Sequence, residues 1–209
     1  MKVTAVKKYK GMTYEVELDG ERKIYLHADI LVDYDVRTGM ELDRTELRKI
    51  IYASNFRRAY QYALYRLDFR DYSAKEMKKK LVDTYKNEAL CEAVIKKLES
   101  NNFINDERLS ARLAEKYVMT KKFGLRRAKR ELILKGIGEL MAEDALAPYE
   151  ERVGENLAEL IEKKYSRRLT DRDDRNAVEK VKNSLVRLGY GFDEINRAVR
   201  EYFDSLEQD

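Results

Sequence analysis

Seven basic side chains and one acid fall within fifteen residues in the run Lys121-Lys122-Phe123-Gly124-Leu125-Arg126-Arg127-Ala128-Lys129-Arg130-Glu131-Leu132-Ile133-Leu134-Lys135. On a helix beginning near Leu125, residues Leu125, Ala128 and Leu132 form one apolar stripe. Arg126, Arg127 and Arg130 then fall on the opposite side. Arginine presents a planar fork that suits phosphate or carboxylate. Lys121 and Lys122 lie just before the helix start, where free N–H groups and added positive charge favour an anion. Lys129 and Lys135 complete the cluster. The alternative for such a run is a solvated face, but here the neutralising acids that usually accompany one are missing from the local sequence.

A second row, Arg58, Tyr62, Arg66 and Arg70, has i, i+4 spacing. Aromatics among arginines can stack on bases, and tyrosine in such a row can equally cover a neighbouring helix. Lys78-Lys79-Lys80 wraps around its helix and reads as solvated. The fifteen tyrosines are spread along the chain and read as structural, burying a ring while the hydroxyl reaches water.

Catalytic constellations are scarce. His27 is the one histidine and Cys91 the one cysteine, so neither a zinc site nor a Cys/His nucleophile is expected. There is no P-loop and no G-x-G-x-x-G, and Lys135-Gly136-Ile137-Gly138 follows a helix and reads as a C-cap. Carboxylates lie mostly at helix caps or beside Lys/Arg at helical spacing. The expectation is a protein that binds and does not catalyse, and that needs no cofactor or metal.

Composition supports a folded but surface-rich chain. Of 209 residues, 44% are apolar and 39% charged, well above the usual quarter. An elongated array of small helical units needs that much polar surface. The single cysteine fits a reducing compartment. No N-terminal segment pairs a basic start with an apolar core and a small-residue cleavage site, and no apolar run reaches membrane-spanning length, so a soluble, cytoplasmic chain is expected. The formal charge is +4, and it is unevenly spread. Residues 1–54 hold 10 basic and 10 acidic groups, 55–104 hold 11 and 7, 105–149 hold 10 and 7, and 150–209 hold 12 and 15. The positive field sits mid-chain, with an acidic segment after it.

The elements that must position these groups change character along the chain. Residues 1–34 read as strands. Val3 to Lys8 alternates weakly, and Tyr14, Val16 and Leu18 alternate with charged residues. Asp19-Gly20 is a hairpin signal, followed by Ile24 and Leu26. A third strand is expected around Ile30–Tyr34. Asp43 with Glu46 is a capping-box start for a helix through Ala53. Gly124, Gly136 and Gly189 each follow an apolar-periodic segment and read as left-handed C-caps.

Aligning these signals exposes a repeat of three helices per unit. The first unit comprises helices near 55–70, 73–85 and 87–101. The second comprises 105–122, 125–135 and 138–147, and the third 150–167, 174–188 and 192–204. Leu81, Leu132 and Leu185 hold matching places. So do the pairs Val94-Ile95, Ala145-Leu146 and Ala198-Val199. The expected fold is mainly α, with tandem three-helix repeats in a curved array and a small N-terminal β-hairpin or sheet at one end. The expected divisions are 1–54, 55–104, 105–149 and 150–209.

Three stretches, in order and at these spacings, resemble RecX regulatory proteins. Ala63-Leu64, Arg70, Ser73-Ala74-Lys75-Glu76-Met77 and Leu81 resemble that family's first repeat. Val94-Ile95, Leu98 and Asn102-Phe103-Ile104-Asn105-Asp106-Glu107 resemble the join into its second. Gly124, Arg130-Glu131-Leu132, Lys135-Gly136-Ile137 and Ala145-Leu146 resemble that repeat's core. Residues 55–149 match well and 150–204 loosely. Residues 1–45 resemble the N-terminal extension of longer members. Met77, Leu109-Ser110 and Ala128 depart from the pattern, all at packing positions. The resemblance implies a monomeric modulator of the RecA recombinase, connected with DNA repair, recombination and the SOS response. Such a protein binds the groove of the RecA–DNA filament, contacts single- or double-stranded DNA there, and caps or destabilises the filament. On the residues alone a plain DNA-binding module stays open, with the 125–135 helix in the major groove, although that helix lacks the Asn/Gln that would read adenine.

Overall fold

The alternating residues of the first segment form an antiparallel sheet of order β1 (Val3–Lys10), β2 (Thr13–Leu18), β3 (Arg22–His27). The computed structural model describes residues 1–207. Val6, Val16 and Ile24 are cross-strand partners, and Val3, Val16, Leu18 and Leu26 are buried on one face. Asp19 and Gly20 both take left-handed φ, +52° and +77°, as the hairpin signal requires.

The strand expected at Ile30–Tyr34 is instead part of a short helix, α1 (Ala28–Asp33). His27 Nδ1 accepts from the Asp29 N–H at 3.2 Å, so the lone histidine caps the helix that ends the sheet. Helix α2 (Arg44–Leu67) opens with the expected box: Asp43 accepts from the Thr45 and Glu46 amides, and Glu46 accepts from the Asp43 amide. It does not stop at Ala53. No glycine or proline interrupts Arg44–Leu67, so the two expected helices are one. The inward face of the sheet closes on Ile30, Val36, Leu42, Leu47 and Ile50.

The remaining helices fall into the expected register. After α2 come α3 (Ala74–Tyr85) and α4 (Glu88–Ser100). Next are α5 (Asp106–Glu115), α6 (Leu125–Leu134) and α7 (Glu139–Leu146), then α8 (Glu150–Leu160), α9 (Arg175–Arg187) and α10 (Phe192–Leu206). The first helices of the second and third repeats both run on through a π-helical turn, Lys116–Thr120 and Ile161–Tyr165. Leu81, Leu132 and Leu185 are fully buried. Asn87 and Asn105 cap α4 and α5 by accepting from Leu90 and Arg108 amides.

Two compact units result: Met1–Arg70 with Met77–Phe103, and Asp71–Glu76 with the described chain from Ile104 onward. In the second unit one apolar cluster runs from Leu109 to Phe203, so the second and third repeats share a core. Gly136 and Gly189 are left-handed C-caps, as expected. Gly124 is not: its φ is −68° and it N-caps α6, while Lys122 carries the left-handed turn at +52°.

Candidate functional site

Helix α6 is amphipathic as read. Ala128 and Leu132 are fully buried, and Leu125 packs against the same cluster. The seven basic residues around it divide into two groups.

Three are held internally. Lys122 Nζ donates to Asn156 Oδ1 at 2.6 Å and lies 2.7 Å from Glu159 Oε2. Buried Asn156 in turn donates to the Val118 carbonyl. Hydrogen bonds from Lys122 and then Lys163 hold the Glu159 carboxyl down at about 2. The Arg127 guanidinium lies 3.9 Å from the centre of the buried Phe123 ring, a cation–π contact, and donates to the Arg187 carbonyl. Lys129 pairs with Glu139 at 2.7 Å and Glu143 at 2.6 Å. The hydrogen bond to Glu139 and then that to Glu143 raise the Lys129 ammonium above its usual range. The acids missing from the local sequence are therefore supplied by α7 for Lys129 and by α8 for Lys122. Arg127, expected on the free side with Arg126 and Arg130, is instead taken up by the joint between the second and third repeats.

That joint is backbone on backbone. The Gly124 N–H donates to the Leu188 carbonyl at 2.9 Å. A Cβ on Gly124 would meet the Gly189 carbonyl carbon at 2.4 Å. Tyr190, buried beside it, donates its hydroxyl to the Lys122 carbonyl, and burial pushes that phenol above its usual range.

The other four basic residues of the run remain outward. Lys121, Arg126 and Arg130 are exposed and Lys135 half-buried, and none is in an ion pair among the described residues. Lys121 Nζ lies 5.6 Å from the Tyr117 and Phe123 ring centres. These cations can hold phosphates or carboxylates on a partner.

The Arg58–Arg70 row is not continuous, because α2 ends at Leu67 and Arg70 lies beyond it. Arg58 is exposed. Arg66 packs on Tyr62, 5.3 Å from the ring centre, and donates Nε–H to the Tyr62 hydroxyl. That bond lowers the Tyr62 phenol. Tyr62 also meets Tyr85 edge-on at 6.2 Å, so it covers α3, with Arg66 half-buried beside it. Lys78, expected to be solvated, pairs with Glu88 and Glu92.

Sequence reasoning missed one feature. Ile133 and Leu134 lie on the outward face of α6, 41% and 74% exposed, and Leu140 follows on α7 at 76%. The signal for it was their position outside the 125/128/132 stripe.

Among the described residues no group of three or more His, Cys, Asp or Glu could hold a metal ion. Nor is any helix long and apolar enough to cross a membrane.

Comparisons with known proteins agree in direction. A family model described as "RecX, first three-helix domain" matches residues 59–98, which span the end of α2, all of α3 and most of α4. The chain is 28% identical over 210 residues to regulatory protein RecX of Streptococcus sanguinis (strain SK36), covering 100% of this chain and 79% of that one. It is 34% identical over 178 residues to regulatory protein RecX of Lactococcus lactis subsp. lactis (strain IL1403), covering 81% and 66%. A crystal structure of RecX from Lactobacillus salivarius is similar at 30% identity and a TM-score of 0.64, covering 71% of this chain and 97% of that one. A second, described as a crystal structure of regulatory protein RecX, shares the fold across 96% of this chain, with a TM-score of 0.72 and 24% identity.

Proposed function

Since the chain belongs to the RecX family, we propose that it regulates the RecA recombinase by binding the RecA–DNA filament and restraining its activity. The observation that carries this reading is similarity along the entire chain, N-terminal sheet included, to a protein named for regulation. The proposed action is binding without catalysis, by a cytoplasmic monomer that needs no cofactor. Lys121, Arg126, Arg130 and Lys135 are proposed to meet the filament directly. Arg58, Arg66 and Arg70 form a second contact on the other unit. Lys122, Arg127 and Lys129 act one step back, by fixing the ends and the pitch of α6.

Plain DNA binding is the competing reading, and salt separates the two. Each phosphate neutralised on a single strand contributes about −0.7 to the slope of log K against log salt. Four outward cations would give a slope of about −3 on bare single strands. On the filament, protein contacts add affinity that salt screens less, and the acidic third repeat can face basic protein. The test is a salt titration of fluorescent oligonucleotide, bare and RecA-coated. Tighter binding with a shallower slope on the filament supports the proposal. Equal affinity and equal slope on both would overturn it in favour of a DNA-binding module.

A further inference from the structure

We infer that within the filament the outward face of α6 docks on protein, specifically on an apolar hollow rimmed by carboxylates, and not on the DNA the filament holds. The inference rests on the filament reading above and assigns this face to the filament's protein component. Arg126, Arg130, Ile133 and Leu134 stand at i, i+4, i+7 and i+8, which is one helix face. It lies opposite the stripe of Leu125, Ala128 and Leu132 that enters the core. Leu134 is 74% exposed and Ile133 41%, and across the tight turn at Gly136 Leu140 is 76% exposed.

Single exposed apolar residues are ordinary, but these are not scattered. Among the described residues the exposed isoleucines and leucines are Ile133, Leu134, Leu140 and Leu206; Ile133 and Leu134 are neighbours on the outward face of α6, and Leu140 follows on α7, where it lines a hollow with Glu107, Ser110 and Ala111 of α5. The core does not need them, since Leu132 and Ile137 already close it.

Charge then points to the partner. This chain pairs other cations nearby, Lys129 with two glutamates and Lys122 with one. It leaves Arg130, about one turn before the aliphatic pair, and Arg126, about two turns before it, without an ion pair among the described residues. An apolar centre with arginine at its edge is the anatomy of a protein interface. A nucleic-acid surface offers such aliphatic groups little. Phosphates take charge, bases take rings or hydrogen bonds, and branched aliphatics find only a thymine methyl.

The test compares the full wild-type chain with I133Q/L134Q. Both are titrated on a RecA-coated fluorescent oligonucleotide and on the same oligonucleotide bare, after circular-dichroism melts establish that the variant folds. The expected result is about tenfold or greater loss on the filament with less than about a twofold change on bare DNA. Wild-type preference for the filament with an unchanged variant would overturn this inference alone. Equal losses on both targets would also overturn it, because the face would then read DNA. No filament preference in the wild type would remove the filament reading, and this inference with it. A photoreactive benzophenone side chain placed at position 134 gives an independent readout. Adducts to protein are expected, and adducts to the oligonucleotide would refute the assignment.

Discussion

Replacing Gly124 with alanine should open the joint between the second and third repeats. The new methyl carbon would lie 2.4 Å from both the carbonyl carbon and oxygen of Gly189 and 2.5 Å from the Tyr190 nitrogen. All three are backbone atoms, so no side chain can turn aside, and the two segments must part by about 1 Å to restore ordinary contact. That separation breaks the 2.9 Å bond from the Gly124 amide to the Leu188 carbonyl. It also pulls on the Tyr190 hydroxyl bond to Lys122. Overpacking costs about 1–3 kcal/mol and a lost hydrogen bond about 0.5–1.5 kcal/mol, together about 2–4 kcal/mol. For a chain of this length that lowers Tm by roughly 5–15 °C. The assay is thermal melting by circular dichroism, with urea unfolding beside it. Gly154→Ala is the control. Gly154 lies inside α8, and nothing comes within 4 Å of the place its new methyl would take. Alanine there should stabilise by about 0.5–1 kcal/mol. A G124A variant melting within about 2 °C of wild type would refute the tight joint.

Charge reversal at Arg126 and Arg130 should weaken filament binding and cost no more than about 0.5 kcal/mol of stability each, whereas Arg127→Glu should lower Tm because that guanidinium covers buried Phe123; equal melting of all three variants would contradict this division. Glu159 is held at about 2 against an ordinary 4.5, so it stabilises the fold above pH 4.5 and loses that contribution as pH falls toward 2. Glu159→Gln should flatten the decline of Tm with acidification across that window, and a decline as steep as wild type would show that the Lys122–Glu159 contact is not formed.

The repeat was legible because its markers are local and chemical. Leu81, Leu132 and Leu185 had to be buried for the units to pack, and the glycines at 136 and 189 fit the left-handed turns that end their helices. The break expected between Ala53 and Asn55 rests on repeat spacing and not on a helix breaker, and none exists there. Helix α1 is six residues long, too short to show a helical period, and its capping histidine passes for a sheet residue. The two π-helical turns have no signature in residue types, since the slip in hydrogen bonding depends on how α5 and α8 fit their neighbours. Within the site, the acids that neutralise Lys129 come from positions 139 and 143, and the partner of Gly124 is Gly189. Reading the run from Lys121 to Lys135 by itself therefore overstates its free charge. The outward Ile133 and Leu134 become visible only once the inward stripe is placed.

The central claim, that this chain restrains RecA, is tested most directly by steady-state ATP hydrolysis of RecA on single-stranded DNA with increasing amounts of the chain. Hydrolysis is expected to fall as the wild-type chain is added and to fall less with the Arg126/Arg130 charge-reversal variant. An unchanged rate, at concentrations where the chain is seen to occupy the DNA, would contradict the account.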